Sequence, residues 1–121
     1  MGDRISIQFT NTTKGYAPSA ILFSHCWGLS LLGVAQKYIS KLKEEAALEG
    51  EGDPLYRLEP QIVMVDFIRE FVCHPMHRIF NPTNPRIVSG FYLSVNTKSG
   101  DNSDNGHWVI DLDADTIQRV E

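Results

Sequence analysis

Two stretches of apolar–polar alternation, one near each end of the chain, constrain its fold more than any other feature. Near the start, Ile5, Ile7 and Phe9 alternate with Arg4, Ser6, Gln8 and Thr10. Near the end, Trp108, Ile110 and Leu112 alternate with His107, Val109 and Asp111. Successive side chains of a strand point to opposite faces, so each segment reads as a strand with one face in a core. Between them the period changes. Leu32, Ala35, Ile39, Leu42 and Ala46 recur at helical spacing, with Gln36, Lys37, Lys41, Glu44 and Glu45 mostly opposite. This predicts an amphipathic helix over 29–48, ended by Gly50-Glu51-Gly52-Asp53-Pro54. A second helix is expected from Pro60, a favoured first-turn residue, with an apolar stripe of Val65, Ile68, Phe71 and Val72 beside Met64. Cys73-His74-Pro75 closes it, because the residue before a proline avoids the helical region.

Two further strands fit the remaining pattern. After the turn-forming Asn11-Thr12-Thr13-Lys14-Gly15 comes the continuous apolar run Ala20-Ile21-Leu22-Phe23. Residues 87–95 alternate again, with Ile87, Phe91, Leu93 and Val95 on one side, Val88, Tyr92 and Ser94 on the other, and Gly90 as a bulge position. The order is strand, strand, helix, helix, strand, strand. It implies a single α+β domain spanning 1–121, with two layers: an antiparallel or mixed sheet of about four strands, and two helices on one face.

Composition narrows the functional classes. A chain of 121 residues can bury a core without staples, and two cysteines, Cys26 and Cys73, do not make a disulfide framework. A net charge of -4 disfavours nucleic acid, whose binding surfaces are normally basic. The apolar runs fall short of the roughly 20 residues of a membrane span. The alternation begins directly after Met1-Gly2-Asp3-Arg4, with no leader-like segment. These features fit a cytoplasmic, soluble chain without a membrane partner, and leave a protein partner or self-association open.

Chemistry-bearing side chains concentrate in three places. The polar stretch 99–107 contains Asp101, Ser103 and Asn105-Gly106, which matches the front half of a calcium loop, where alternate oxygens turn inward around a hard cation. The twelfth position should be a bidentate glutamate and is Leu112, so a hairpin turn at Asn105-Gly106 is the better reading, with calcium as its alternative. At the strand-to-helix junction, Cys26 lies beside His25 and Trp27, ahead of a helix start that favours a thiolate. A base for it could come from His107, oriented by Asp111 on the same strand face, if the strands carrying Cys26 and His107 are neighbours. Packing is the commoner fate of such a cysteine. Third, His25-Cys26 and Cys73-His74-Pro75-Met76-His77 hold ligand types that zinc accepts, but not at paired spacing, so zinc is a poor fit. Glu59 and Asp66 are explained by helix capping and surface charge pairs.

Ser24-His25, Arg57-Leu58-Glu59-Pro60, residues 63–68, residues 100–107 and Ile110-Asp111-Leu112-Asp113 together resemble a group of small microbial proteins without an established activity. The resemblance spans most of the chain and implies no catalytic role for any residue. Cys26 stands outside its pattern, which moves attention to His25, Trp27 and His107. The reading is therefore a non-enzymatic binding or interaction module using the sheet rim and loop 99–107, with His25, Trp27, Tyr92 and His107 as ligand contacts. The alternatives are a small hydrolase or transferase with a His107–Asp111 general base and Cys26 as nucleophile, and a calcium-stabilised domain through residues 99–113.

Overall fold

A computed structural model describes residues 3–25, 27–72 and 90–120. Over the described residues the chain is α+β, with a five-stranded mixed sheet and two helices. The strands are β1 (Ile5–Thr10), β2 (Ile21–Ser24), β3 (Phe91–Ser94), β4 (His107–Asp111) and β5 (Thr116–Arg119), in the spatial order β3-β2-β1-β4-β5. The helices are α1 (Ser30–Glu49) and α2 (Pro60–Phe67), the latter prolonged by a π-helical turn at Ile68–Val72. Both chain ends thus enter one sheet. β1 at its centre pairs antiparallel with β2 and parallel with β4, in the register Ser6 opposite His107 and Thr10 opposite Asp111.

Alternation then sorts the side chains. Ile5, Ile7 and Phe9 share a face with Leu22 and Ile110, and all five are buried against the helices. Leu31, Ala35, Ile39 and Leu42 of α1 and Val63, Met64 and Phe67 of α2 close that core. Phe9 meets Phe67 edge-on at 5.6 Å, and Tyr38 of α1 meets Phe67 at 5.2 Å. Burying a phenylalanine fully stabilises by roughly 1.5–3 kcal/mol, so this central aromatic contact anchors the two layers. Tyr38 also donates to Asp66 at 2.6 Å. Burial and that carboxylate together hold its phenol protonated far above the usual tyrosine range.

Three expectations are corrected. A fifth strand, β5, follows β4 through a tight turn in which Ala114 N–H donates to Asp111 and Asp115 adopts φ 55°. Its Thr-Ile-Gln-Arg sequence carries one apolar residue, too little for a visible pattern. The stripe of α2 is Pro60, Val63, Met64 and Phe67; Val65, placed inward from the sequence, is 67 % exposed. This helix is apolar on more than one side, so spacing alone did not single out the buried one. In α1, Leu31 rather than Leu32 lies in the innermost row. The proposed segment 87–95 is described from residue 90, and the expected helix end at Cys73-His74-Pro75 lies outside the described residues.

The sheet face away from the helices is not bare. After β3, residues 95–106 return across that face to the start of β4. Gly100 sits on the Phe23 ring, where a Cβ would come within 2.6 Å of two ring carbons, so no larger residue fits there. The wholly buried Phe23 stacks on Tyr92 at 5.0 Å, and Tyr92 Oη accepts from Asp101 N–H.

Candidate functional site

Beneath the returning loop lies a small polar cluster. Ser6 Oγ and His107 Nδ1, on adjacent strands in direct register, are 2.8 Å apart. Asn102 Nδ2, from the loop above, donates to the same hydroxyl at 2.8 Å. Ser6 is fully buried and His107 is 2 % exposed. The hydroxyl therefore bridges amide and imidazole in a place that a substrate does not reach. Sequence reasoning missed Ser6 and Asn102. The one signal was Ser6 itself, a small polar residue directly opposite the histidine once β1 and β4 are paired.

Asp111, expected to orient His107, does not. It lies four residues along the same strand, which is about 13 Å of extended chain. Its Oδ2 accepts from Thr12 N–H, Thr12 Oγ1 and Thr10 Oγ1, and its Oδ1 from Ala114 N–H. Burial alone would raise its pKa, but these donors outweigh it and hold the carboxyl below the usual carboxylate range. Asp111 is a clamp on the β1 and β4 ends. The neighbour relation needed to bring Cys26 toward His107 also fails, because β1 stands between β2 and β4. Cys26 itself, with Cys73, His74 and His77 of the zinc cluster, lies outside the described residues.

The loop 99–106 uses its polar atoms on its own protein. Asp101 accepts from Ser103 N–H at 3.1 Å, and hydrogen bonds from Ser103, with lesser help from Arg4, lower its pKa. Arg4 Nε sits 3.2 Å from Asp101 Oδ2, close enough for charge attraction although not aligned as a hydrogen bond. Arg4 N–H donates to Asp104, and Asn105 Nδ2 donates to Asp3 and to Arg4 C=O. Trp108 Nε1 closes the turn on Asn105 C=O at 2.7 Å. Of the three candidate calcium ligands, Asp101 and Asn105 thus hold the loop to Asp3 and Arg4 just ahead of β1, and Ser103 bonds to Asp101 within the loop. Among the described residues no three His, Cys, Asp or Glu side chains gather as a metal site.

Of the four expected ligand contacts, the structure brings His25 and Tyr92 together, ring to ring at 5.9 Å. His107 lies under the loop. Trp27 is on the helix side, edge-on to Phe71 at 5.4 Å. The four do not form one surface.

A different surface stands out at the β3 rim. A groove of about 450 Å³ runs between α2 and the sheet, lined by Met64, Val65, Ile68, Leu93 and Val95 with Pro18 and Ala20 behind them. Its polar contributors are Gln8, Ser19 and Gln61, so among the described residues no charged side chain lines it. Val95 is 91 % exposed and Leu93 53 %. Its floor is tied down at two places: β3 pairs with β2 from Phe91 to Ser94, and Tyr92 bonds to the loop. A smaller cavity of about 260 Å³ between α1 and β4–β5 is lined by Ile39, Ile110 and Ile117 with Gln36, Ser40, Asp111 and Asp115. In that cavity Asp111 is already saturated with donors, and Asp115 pairs with Lys43 at 2.7 Å. Among the described residues, no helix is long and apolar enough to cross a membrane.

Compared with family models, with curated proteins and with solved structures, the chain matches none.

Proposed function

We propose that the protein is a non-enzymatic interaction module whose contact surface is the sheet rim at β3, with loop 95–106 serving to hold that rim in place. The observation that carries this reading is the uncharged groove between α2 and β3 with Val65, Leu93 and Val95 exposed along it. Contiguous exposed apolar side chains on a stable scaffold mark contact surfaces. The ring pair of His25 and Tyr92 lies on the other face of the same rim.

Magnitudes decide what sort of occupant fits. Burying each of three exposed aliphatic side chains is worth roughly 1.5–3 kcal/mol at most. Association costs about 4–15 kcal/mol. Side-chain burial alone therefore gives weak binding, and the occupant must add backbone hydrogen bonds. An extended segment paired along β3 does both, because strand addition supplies main-chain bonds while alternate side chains enter the groove.

The hydrolase alternative has less support. Its general base was to be His107 oriented by Asp111, but a base must reach its substrate, and His107 is buried beneath the loop while Asp111 is engaged by Thr10, Thr12 and Ala114.

A methyl NMR titration with an uncharged peptide of alternating valine and threonine tests the reading. Saturable shifts are expected at Met64, Val65, Leu93 and Val95. The absence of any shift up to millimolar peptide, or shifts confined to the α1–β5 side, refutes it.

A further inference from the structure

We infer that Asn105 is a modification site: Asn105-Gly106, which ends the returning loop, is a deamidation site held shut by the fold, and its conversion to aspartate or isoaspartate releases the loop. The chemistry is independent of what the β3 rim binds.

The reactive pair is a property of the sequence. The side-chain Cγ of an asparagine is open to attack by the backbone nitrogen of the next residue, and a glycine there has no side chain to hinder closure of the five-membered ring. A bond forms between Gly106 N and Asn105 Cγ, the Cγ–Nδ2 bond breaks, and ammonia leaves with the backbone amide proton. Water then opens the cyclic imide. Opening at Cγ gives aspartate. Opening at the main-chain carbonyl carbon gives isoaspartate, whose backbone is one carbon longer. Water is the one co-reactant.

The fold holds every atom that must move. Gly106 N–H, the attacking group, donates to Asn102 C=O at 2.7 Å. Asn105 Nδ2, the leaving group, donates to Asp3 Oδ1 at 2.6 Å and to Arg4 C=O at 2.9 Å. Asn105 C=O accepts from Trp108 Nε1 at 2.7 Å, and Gly106 is buried. Attack requires the first three of these hydrogen bonds to open together. Each favours the closed arrangement by roughly fivefold, so the folded chain should react about 100-fold more slowly than an unstructured peptide.

The product no longer fits where the amide did. Asn105 Nδ2 faces two acceptors, the Asp3 carboxylate and Arg4 C=O. A carboxylate in its place loses both bonds and meets a like charge. Asp3 has no room to retreat. Its N–H donates to His25 C=O at 2.7 Å, its C=O accepts from Gly28 N–H at 2.9 Å, and its carboxylate lies so close over Gly28 that a Cβ there would collide with it. Arg4 is already shared between Asp101 and Asp104. The loop is therefore the part that yields. The bonds from Asp101 N–H to Tyr92 Oη and from Asn102 Nδ2 to Ser6 Oγ loosen with it.

Ageing the full chain in mildly alkaline buffer, with peptide mass spectrometry and fragmentation to locate the change, tests this. The mass gain of amide to acid is expected at Asn105, about 100-fold more slowly than in a free peptide of residues 101–110. Asp3→Ala removes one anchor and should speed the reaction about tenfold, because hydrogen bonds to charged groups are the stronger ones. Asn105→Gln, whose longer side chain closes the ring poorly, should stay unmodified at that position. In aged wild-type protein, and in Asn105→Asp, hydrogen exchange should quicken at Asp101 and Gly106 while the β1–β2 pairs stay protected. The aged wild-type protein gives that readout without relying on any variant folding. In Asp3→Asn combined with Asn105→Asp, donor and acceptor exchange places and protection should return. A wild-type chain that reacts as fast as the peptide, an Asp3→Ala chain that reacts no faster than wild type, or modified protein whose Asp101 and Gly106 amides stay as protected as before overturns the inference. So does a double variant that exchanges as fast as Asn105→Asp alone.

Discussion

Among the described residues, the two outer strands of the sheet are built on opposite principles. At one edge, β5 presents Thr116, Gln118 and Arg119, and the turn that leads into it is pinned by Asp111 and by the Lys43–Asp115 ion pair. Charge and a tight turn are ordinary ways of making a strand edge unattractive to another strand. At the other edge, β3 is uncharged and carries exposed Leu93 and Val95 beside an apolar groove. Solubility does not require that asymmetry, and exposed apolar side chains at a strand edge invite aggregation. The interaction surface proposed above lies on the apolar side. Leu93→Lys, which puts a charge into the apolar groove, is the change with the largest expected effect on peptide binding there: the methyl shifts at Val65 and Val95 should be lost, and their persistence would mean that the apolar side chains do not carry the contact.

Asp111→Ala attacks the protected edge. It leaves Thr12 N–H and Ala114 N–H without their acceptor and should cost about 3 kcal/mol in a denaturant melt, since hydrogen bonds to charged groups are worth roughly 1.5–3 kcal/mol each and do not add fully. Hydrogen exchange should rise at β4–β5 while β3 stays protected. If β3 loosens equally, the edges are not independent and the comparison fails.

Gly100→Val tests the support of the apolar edge. Its Cβ meets the Phe23 ring, and overpacking of this kind costs about 1–3 kcal/mol. The loop should lift, the Tyr92 hydrogen bond to Asp101 should be lost, and binding at the β3 rim should weaken with it. Intact rim binding in a variant whose loop has moved would mean that the loop does not hold the rim.

The smallest effect is in acid. The Asp111 pKa is lowered in the fold, so its contribution is fully present above the ordinary carboxylate value of about 4 and is lost as pH falls through the lowered one. The melting temperature should be level from pH 7 to about 5 and decline below about 4. The decline should be shallower in Asp111→Asn. Asp101 shifts the same way, but it is exposed, and solvent screens its share. A melting temperature that rises on acidification would contradict the assigned role of Asp111.

Much of the layer plan was legible because it depends on period. Ile5, Ile7 and Phe9 alternate strictly and lie buried on one face; Ala35, Ile39 and Leu42 repeat at helical spacing and lie buried along one stripe. Where the local signal was weak or double, the reading slipped. Thr116–Arg119 has one apolar residue and became a strand because β4 offered it a partner. Val65 belongs to a helix apolar on several sides, and the sheet chose the other side. At the site, His25 and Tyr92 do meet, whereas His107 was placed on the right strand face but given the wrong partner. Asp111 shares that face at i, i+4 and looked available; Ser6, about a hundred positions away, is the residue in contact.

By itself the sequence determined the strand faces, the amphipathic helix and the absence of charge along residues 91–95, because each depends on neighbours a few positions apart. The parallel docking of β4 on β1 was decided only in three dimensions. So were the loop folded across the open sheet face, the enclosure of Ser6 with His107, and the exposure of Val65 and Leu93 around a groove. Each joins segments far apart in the chain, and the contacts that select it are long-range burial and hydrogen bonding, which local periodicity does not encode.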